Sequence, residues 1–529
     1  MEQPKVTLLL LDWDCRESFH IFNYLKKQDI PRDWFEVQWI EFYSRRSPEI
    51  GEVLASAQAS GQVPPLDLWL VLDVPETYYY HKHFMYNAGI ALARGELVCI
   101  MDSDAMLRPG FVRSLVEAFD RDPGMVLHLD EVRNVDRRFH PFAYPSFEEV
   151  LGPGCINWNG TATVGLADER TPLFTRNYGA CMCAPRQAMV GLGGADEHVD
   201  YLGHVCGPYD LTFRMGNAGR KEVWHPSEFL YHVWHPGTDG GNNYIGPHDG
   251  RNNSTRALQA RLRGETLPAL ENPAIRLLRE NPGRDFPDAV LLDALFDPVR
   301  MADWVINPES MALSLCRQAY YGSRFEEAVE RYRSLSDPPQ QADFLAEMGR
   351  ALSITGRRPE ARGLLEKALA QDPALQLAHS VLGWLEHNER DYRQALWHFE
   401  RALSVWDCLT DDFLLEALRG QAWAYLHSGR NTQAELAFRE AGGYVSENNA
   451  GGKAEILLGL GQSLLSQGRF QEAGAIFAKG LALAAKAGRE DLKISMDRQM
   501  EEVRGRGSRG QPGGWFKALW GRIFDLCGR

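Results

Sequence analysis

From Val6 to about Arg263, short apolar runs alternate with amphipathic stretches. Val6–Leu11, Phe35–Phe42, Leu68–Leu72 and Leu97–Met101 are mostly apolar and only five to eight residues long, the length of buried strands. Between the first two, Phe19, Phe22 and Leu25 recur on one face of Ser18–Lys27, which is helical spacing. Strands separated by helices of this kind predict βαβ units and a mostly parallel sheet. Ligands of such sheets sit beyond the carboxyl ends of the strands, so the residues just past each apolar run are the first place to look for chemistry. Cys181-Met-Cys183 is expected at a buried strand edge. From Gly264 to Ser310 the periodicity fails, because Pro268, Pro273, Pro282, Pro287, Pro298 and Pro308 interrupt it. This stretch is expected to be a connector with short helices such as Pro273–Arg279.

From Met311 the pattern is helical and repeats. Ala361, Ala395, Ala434 and Ala473 are each followed four residues later by Leu365, Phe399, Phe438 and Phe477, and Ala328 with Tyr332 begins the series. The steps are 33, 34, 39 and 39 residues. Turn glycines at Gly322, Gly356, Gly429 and Gly468 precede the second helices. A small residue lets paired helices approach, and the larger one a turn later fills the gap between hairpins. In this spacing, and in Asp372-Pro373 closing one unit, the chain resembles about five tetratricopeptide repeats. The resemblance implies an all-α solenoid whose concave face takes a protein or peptide.

Charge and composition narrow the classes. Lys+Arg total 57 against 71 Asp+Glu, a net charge of −14, which argues against a nucleic-acid partner. Apolar runs are too short for a spanning helix or a signal-peptide core, and the nine cysteines contain no C-x-x-C pair, so reduced thiols and a cytoplasmic location are expected. The tail differs. Trp515, Phe516, Trp520 and Phe524 sit among basic residues, a composition suited either to peripheral contact with the inner face of a membrane or to capping the last repeat.

The chemistry concentrates between Asn87 and Val112, NAGIALARGELVCIMDSDAMLRPGFV. A helix carrying Gly89 and Ala91 leads through Gly95-Glu96 into the strand Leu97–Met101, and the chain leaves it as Asp102-Ser103-Asp104. Two carboxylates at i and i+2 past a strand end can divide their work, one reaching a hydroxyl while the other holds a hard divalent cation. D-x-D also occurs at 12–14 and 120–122, so context decides. An Asn-x-Gly helix, Ala-x-x-x-Gly-Glu, an apolar strand and then D-x-D, in that order, resemble the family 2 type of GT-A glycosyltransferases over roughly residues 5–250.

That resemblance implies a nucleotide-diphosphate sugar donor, Mn²⁺ or Mg²⁺ held by Asp104 with help from Asp102, and an inverting transfer. It also implies donor contacts at Asp12, Glu41, Asn87 and Asp102. Gly193-Gly194-Ala195-Asp196-Glu197 resembles the family's acceptor-side segment. Farther on the family has an acidic pair before an x-Asp-Leu helix, and this chain has Gly207-Pro208 there, followed by Tyr209-Asp210-Leu211 and Arg214. An inverting transfer needs a carboxylate to accept the acceptor's proton. Asp196, Glu197 and Asp210 are the candidates, with His204 nearby in sequence. Asp210 can equally be the i+4 partner of Arg214. His225, His232, His235 and His248 cluster downstream, and the family implies a late histidine ligand, with His235 first and His232 second. Thr238–Asn243 is expected to be a closing loop.

The sequence thus predicts an α/β GT-A (Rossmann-like) domain over 1–263, a connector over 264–310, repeats over 311–490 and a basic aromatic tail over 491–529. The repeats would recruit a protein or glycan acceptor, or a partner protein. The rival reading is a catalytically inactive transferase-like domain in a repeat-based scaffold.

Overall fold

A computed structural model describes residues 3–16, 18–44, 46–166, 170–203, 207–236, 246–249, 253–405 and 408–507. His204, the Thr238–Asn243 loop and the Trp515–Arg529 tail lie outside these. The chain divides into two compact units, Met1–Pro338 and Pro339–Arg529. The first unit therefore takes in the proline-rich stretch and the helical pair Pro308–Tyr321 and Phe325–Ser334. The stretch 264–310 carries short helices, among them Pro273–Glu280 and Asp288–Leu295, and packs against the core. Trp304 is fully buried against Phe84 and its carbonyl accepts from Tyr79 N at 2.9 Å, while Ala274, Ile275 and Leu295 join the core.

Nine strands are defined among the described residues: β1 (Val6–Asp12), β2 (Phe35–Tyr43), β3 (Leu68–Val74), β4 (Leu97–Met101), β5 (Met125–His128), β6 (Glu131–Asn134), β7 (Cys181–Pro185), β8 (Lys221–Trp224) and β9 (Leu230–Val233). Seven form one sheet in the order β3-β2-β1-β4-β7-β5-β8. All neighbours are parallel except β7, which runs antiparallel to β4 and β5. Cys181-Met-Cys183 thus lies inside the sheet, not at its edge. Leu8 and Leu10 of β1 face one core and Leu9 and Leu11 the other, which is why that run is apolar without interruption.

The helix Lys82–Leu92 lies against β1 so closely that a Cβ at Gly89 would come within 2.7 Å of the Leu9 methyls. A Cβ at Gly95 would meet Thr7 N at 2.5 Å. These glycines let the chain turn tightly into β4.

β6 and β9 form a small second, parallel sheet, with Arg133 opposite His232. The other edge of β9 reaches the segment just after β4: Met106 and Tyr231 exchange backbone hydrogen bonds of 2.8 and 3.1 Å. This pairing carries the His232–His235 segment to the carboxyl end of β4.

In the second unit, antiparallel helix pairs follow one another: Ala342–Ile354 with Arg358–Gln371, Gln376–Asn388 with Tyr392–Ala402, Asp411–His427 with Asn431–Gly442, and Ala450–Ser466 with Phe470–Lys486, before Glu490–Gly507. The repeating Ala361/Leu365, Ala395/Phe399, Ala434/Phe438 and Ala473/Phe477 pairs are fully buried. Phe399 lies between successive pairs. A Cβ at Gly383 would be 2.8 Å from its ring, and one at Gly420 would be 2.3 Å from its Cζ. Confined on both sides, the ring has nowhere to retreat. Gly420→Ala is accordingly expected to destabilise this unit by a net ~1–2 kcal/mol, the overpacking cost exceeding the gain in helix propensity. Gly363→Ala, at a helical glycine with open space around it, is expected to stabilise by ~0.5–1 kcal/mol. Opposite shifts of the repeat unit's thermal transition check both. No described helix is long and apolar enough to cross a membrane.

Candidate metal and donor site

The carboxyl ends of β2, β1 and β4 form a row. Asp12 is in register with Glu41, and Ser103 is anchored beside them by a 2.7 Å hydrogen bond from its hydroxyl to Leu11 O. Both acids are 3% exposed. Asp12 Oδ1 accepts from Cys15 N at 3.0 Å and Glu41 Oε1 from Ser47 N at 3.3 Å. Burial raises the pKa of each. Asp102 is half-buried, and burial together with the charges of Asp104 and Glu131 pushes its carboxyl up to about 6.

Asp104 is where the elements converge. Its Oδ2 lies 3.0 Å from His235 Nε2 and 3.7 Å from His232 Nε2, and the two imidazole nitrogens are 3.2 Å apart. One ligand atom from each of the three residues falls within 4.8 Å of the others. Asp102 is not part of this group. Arg16, from the turn after β1, pairs with the same Oδ2. Burial works to raise the Asp104 carboxyl, but Arg16 and the two imidazoles outweigh it and hold it well below the usual carboxylate range.

Long-range partners steady the cluster. His20 Nε2 lies 2.8 Å from Asp104 O, and its ring stacks on Phe142 at 3.5 Å. Glu131 Oε1 lies 3.4 Å from His232 Nδ1, and Glu131 is itself clamped by Arg133 at 2.7 and 2.9 Å. That carboxylate faces the imidazole as a nearby negative charge without a hydrogen bond to it. A small cavity beside Asp104 and His235 is walled by Ser18, His20, Phe142 and Trp234. One carboxylate and two imidazoles around a common point fit a divalent transition metal by donor chemistry. Sequence reasoning missed Arg16, His20 and Glu131. Arg16 stands just past a strand end, where the search begins, whereas Glu131 meets His232 only through the β6–β9 pairing.

The remaining expected residues are placed elsewhere. Asn87 is fully buried: its amide donates 2.8 Å hydrogen bonds to Ala195 O and Glu197 Oε1 and its Oδ1 accepts from Ala195 N, so it clamps the Gly193–Glu197 turn and offers no atom to a substrate. Gly194 there has φ of +68° and a Cβ on it would lie 2.3 Å from Asn87 Oδ1, so both backbone and space require glycine. Glu197 is 0% exposed, accepts from Asn87 and Asn272, and pairs with Arg300 at 2.9 Å. Burial outweighs these partners and pushes its carboxyl up to about 7.

Asp210 is paired in the buried interior with Arg214 at 2.7 Å, four residues on, and also accepts from Asp196 N. Asp196 accepts from Leu270 N and His198 N at 2.9 and 3.2 Å and has no ion pair among the described residues. Gly207 packs backbone to backbone on Gly179, where a Cβ would come within 2.1 Å of Gly179 Cα, so an acidic side chain has no room there.

Residues 85–164 match the model of glycosyl transferase family 2, and residues 380–444 and 445–488 match tetratricopeptide repeat models. A family 2 glycosyltransferase-like domain precedes tetratricopeptide repeats. The first match spans the helix before β4, the Asp102–Asp104 exit and β6. No curated protein matches the sequence. Among solved structures the chain is similar to MamA MSR-1 C2, at 18% identity and a TM-score of 0.29 over 34% of this chain and 98% of that one. It is also similar to MamA 41-end from Desulfovibrio magneticus RS-1, at 17% identity and a TM-score of 0.28 over 34% and 96%.

Proposed function

We propose that the transferase-like domain is a metal-dependent, inverting glycosyltransferase that moves a sugar from a nucleotide-diphosphate donor to an acceptor hydroxyl. The repeats would recruit the acceptor, a protein or glycan, or a partner protein. The observation that carries this reading is the Asp104–His232–His235 cluster at the end of β4, whose carboxylate lies inside the segment that matches the family while both histidines come from beyond it. These three side chains would hold Mn²⁺ or Mg²⁺, the imidazoles favouring Mn²⁺, and the bound ion would supply positive charge where the nucleotide diphosphate departs.

The chain's own residues would do the rest. Glu131 sets a negative charge beside His232, His20 fixes the backbone of Asp104, and Asp12 and Glu41 line the strand ends on the donor side. Transfer to a hydroxyl requires a base. Of the three candidate carboxylates, Glu197 and Asp210 are each held by an arginine, which leaves Asp196 as the group to take the acceptor's proton. Burial and the neighbouring Asp210 raise its pKa, which makes it a better proton acceptor than an ordinary aspartate.

One observation favours a second reading. Gly207-Pro208, packed on Gly179, leaves no acid at the family's base position, as in a domain that binds a nucleotide sugar without transferring it. A panel of nucleotide sugars, screened for thermal stabilisation with and without Mn²⁺ and then for donor hydrolysis, separates the readings. Metal-dependent stabilisation with turnover supports transfer. Stabilisation without turnover supports the second reading. A panel in which no nucleotide sugar stabilises the chain in the presence of metal overturns both.

A further inference from the structure

Arg16 carries a positive charge inside the cluster that would itself hold a cation. Its side chain is 9% exposed and its Nη1 donates to Asp104 Oδ2. That oxygen is the one both imidazoles approach. Its Nε is buried with no hydrogen-bond partner among the described residues. The guanidinium carbon lies 5.5 Å from the centre of the Trp13 ring, itself stacked on Tyr80 at 4.8 Å, so the side chain rests against an aromatic wall at the end of β1.

A guanidinium and a divalent ion compete for this oxygen. A divalent ion ligated by a carboxylate stands at about 2.0–2.2 Å from it. An ion held at Asp104 Oδ2 together with the two imidazoles crowds the guanidinium already seated there, and the charges repel. The guanidinium cannot escape by losing its proton. Once moved off Asp104 it needs another anion, and its planar fork suits phosphate oxygens. The buried, unpaired Nε is a second donor available to such an anion.

We infer that Arg16 is a displaceable counter-cation. It neutralises Asp104 in the empty chain and turns to the diphosphate when cation and donor bind together. The inference rests on the metal–nucleotide reading above and adds a coupling to it. The cation alone must displace Arg16 from its contact with Asp104, leaving only the more distant charges of Asp102 and Asp12, whereas cation and diphosphate together give it a direct anionic partner. Binding of the two is therefore cooperative, and by linkage each strengthens the other equally.

Titrations of the full chain with Mn²⁺ alone, and with dilute inorganic pyrophosphate at saturating Mn²⁺, test this through Arg16→Gln. The variant is expected to bind Mn²⁺ alone about tenfold more tightly and pyrophosphate about tenfold more weakly, the worth of one charge-assisted hydrogen bond. Arg16→Lys keeps the charge, so its affinity for Mn²⁺ alone is expected to return toward the wild-type value, which separates competition from a general change in the fold. If wild type binds Mn²⁺ and Arg16→Gln neither tightens that binding nor weakens pyrophosphate, the counter-cation role is wrong while the metal site stands. If neither protein binds Mn²⁺, both readings fall.

Discussion

Asp104→Asn is expected to lower the affinity for Mn²⁺ by more than about 100-fold and to abolish metal-dependent stabilisation by a nucleotide sugar. Residues that merely orient a metal ligand are worth about 10–100-fold in affinity. Asp104 contributes the one anionic oxygen on which Arg16, His232 and His235 converge. Asparagine keeps the shape and an acceptor atom for Arg16. Alanine would instead leave that guanidinium buried and unpaired, a loss of about 3–5 kcal/mol that would confuse loss of binding with loss of fold. Calorimetric titration of Asp104→Asn, with the thermal transition of the first unit recorded alongside, checks the prediction. Unchanged Mn²⁺ affinity would count against the site.

Glu197→Ala is expected to destabilise the first unit by about 3–5 kcal/mol, because it strips the counter-ion from Arg300, which is itself buried. The amides of Asn87 and Asn272 lose their acceptor as well. Glu197→Gln loses the same charge but is expected to cost less, since it keeps the volume and an acceptor for Arg300 and the two asparagine amides. The pH dependence carries a definite sign. With its carboxyl pushed up to about 7 from 4.5, the folded chain binds more protons than the unfolded chain between those values. The contribution of Glu197 to stability is therefore fully present below pH 4.5 and is lost as pH rises through about 7. Glu197→Gln should remove that part of the slope in melting curves collected across this window. Equal loss in the Ala and Gln variants would show that the charge paired with Arg300, not the packing or the asparagine hydrogen bonds, holds the segment.

Wherever structure follows from local pattern, it was legible in the sequence. The apolar runs of β1 and β4 mark those strands because a parallel sheet covered on both faces leaves no polar alternation. The Ala-to-Phe spacing marks the repeats because each aromatic fills the gap between hairpins. Asp104 stood out as the residue just past a strand end, and His232 and His235 as members of a local histidine cluster. Pairings across the chain were not legible. β7 runs antiparallel in the middle of the sheet, placing Cys181 and Cys183 beside β4, and nothing in Cys-Met-Cys states which strands will flank it. Glu131 joins the site through the β6–β9 pairing, an arrangement with no signature in spacing, whereas Arg16 stood just past a strand end and was overlooked. The i+4 relation of Asp210 and Arg214 was visible. That Arg300 reaches Glu197 depends on a proline-rich stretch that folds onto the core, and that Asn87 grips the Gly193–Glu197 turn depends on contacts over a hundred residues apart.

The central claim is that a divalent cation and a diphosphate meet at the end of β4. Anomalous X-ray scattering from crystals of the full chain grown with Mn²⁺ and a stabilising nucleotide sugar locates the ion directly. The account predicts a manganese peak bonded to Asp104, His232 and His235, with the diphosphate on it and Arg16 turned to a phosphate oxygen. A nucleotide bound elsewhere, or manganese absent from these three side chains while the nucleotide is present, would contradict it.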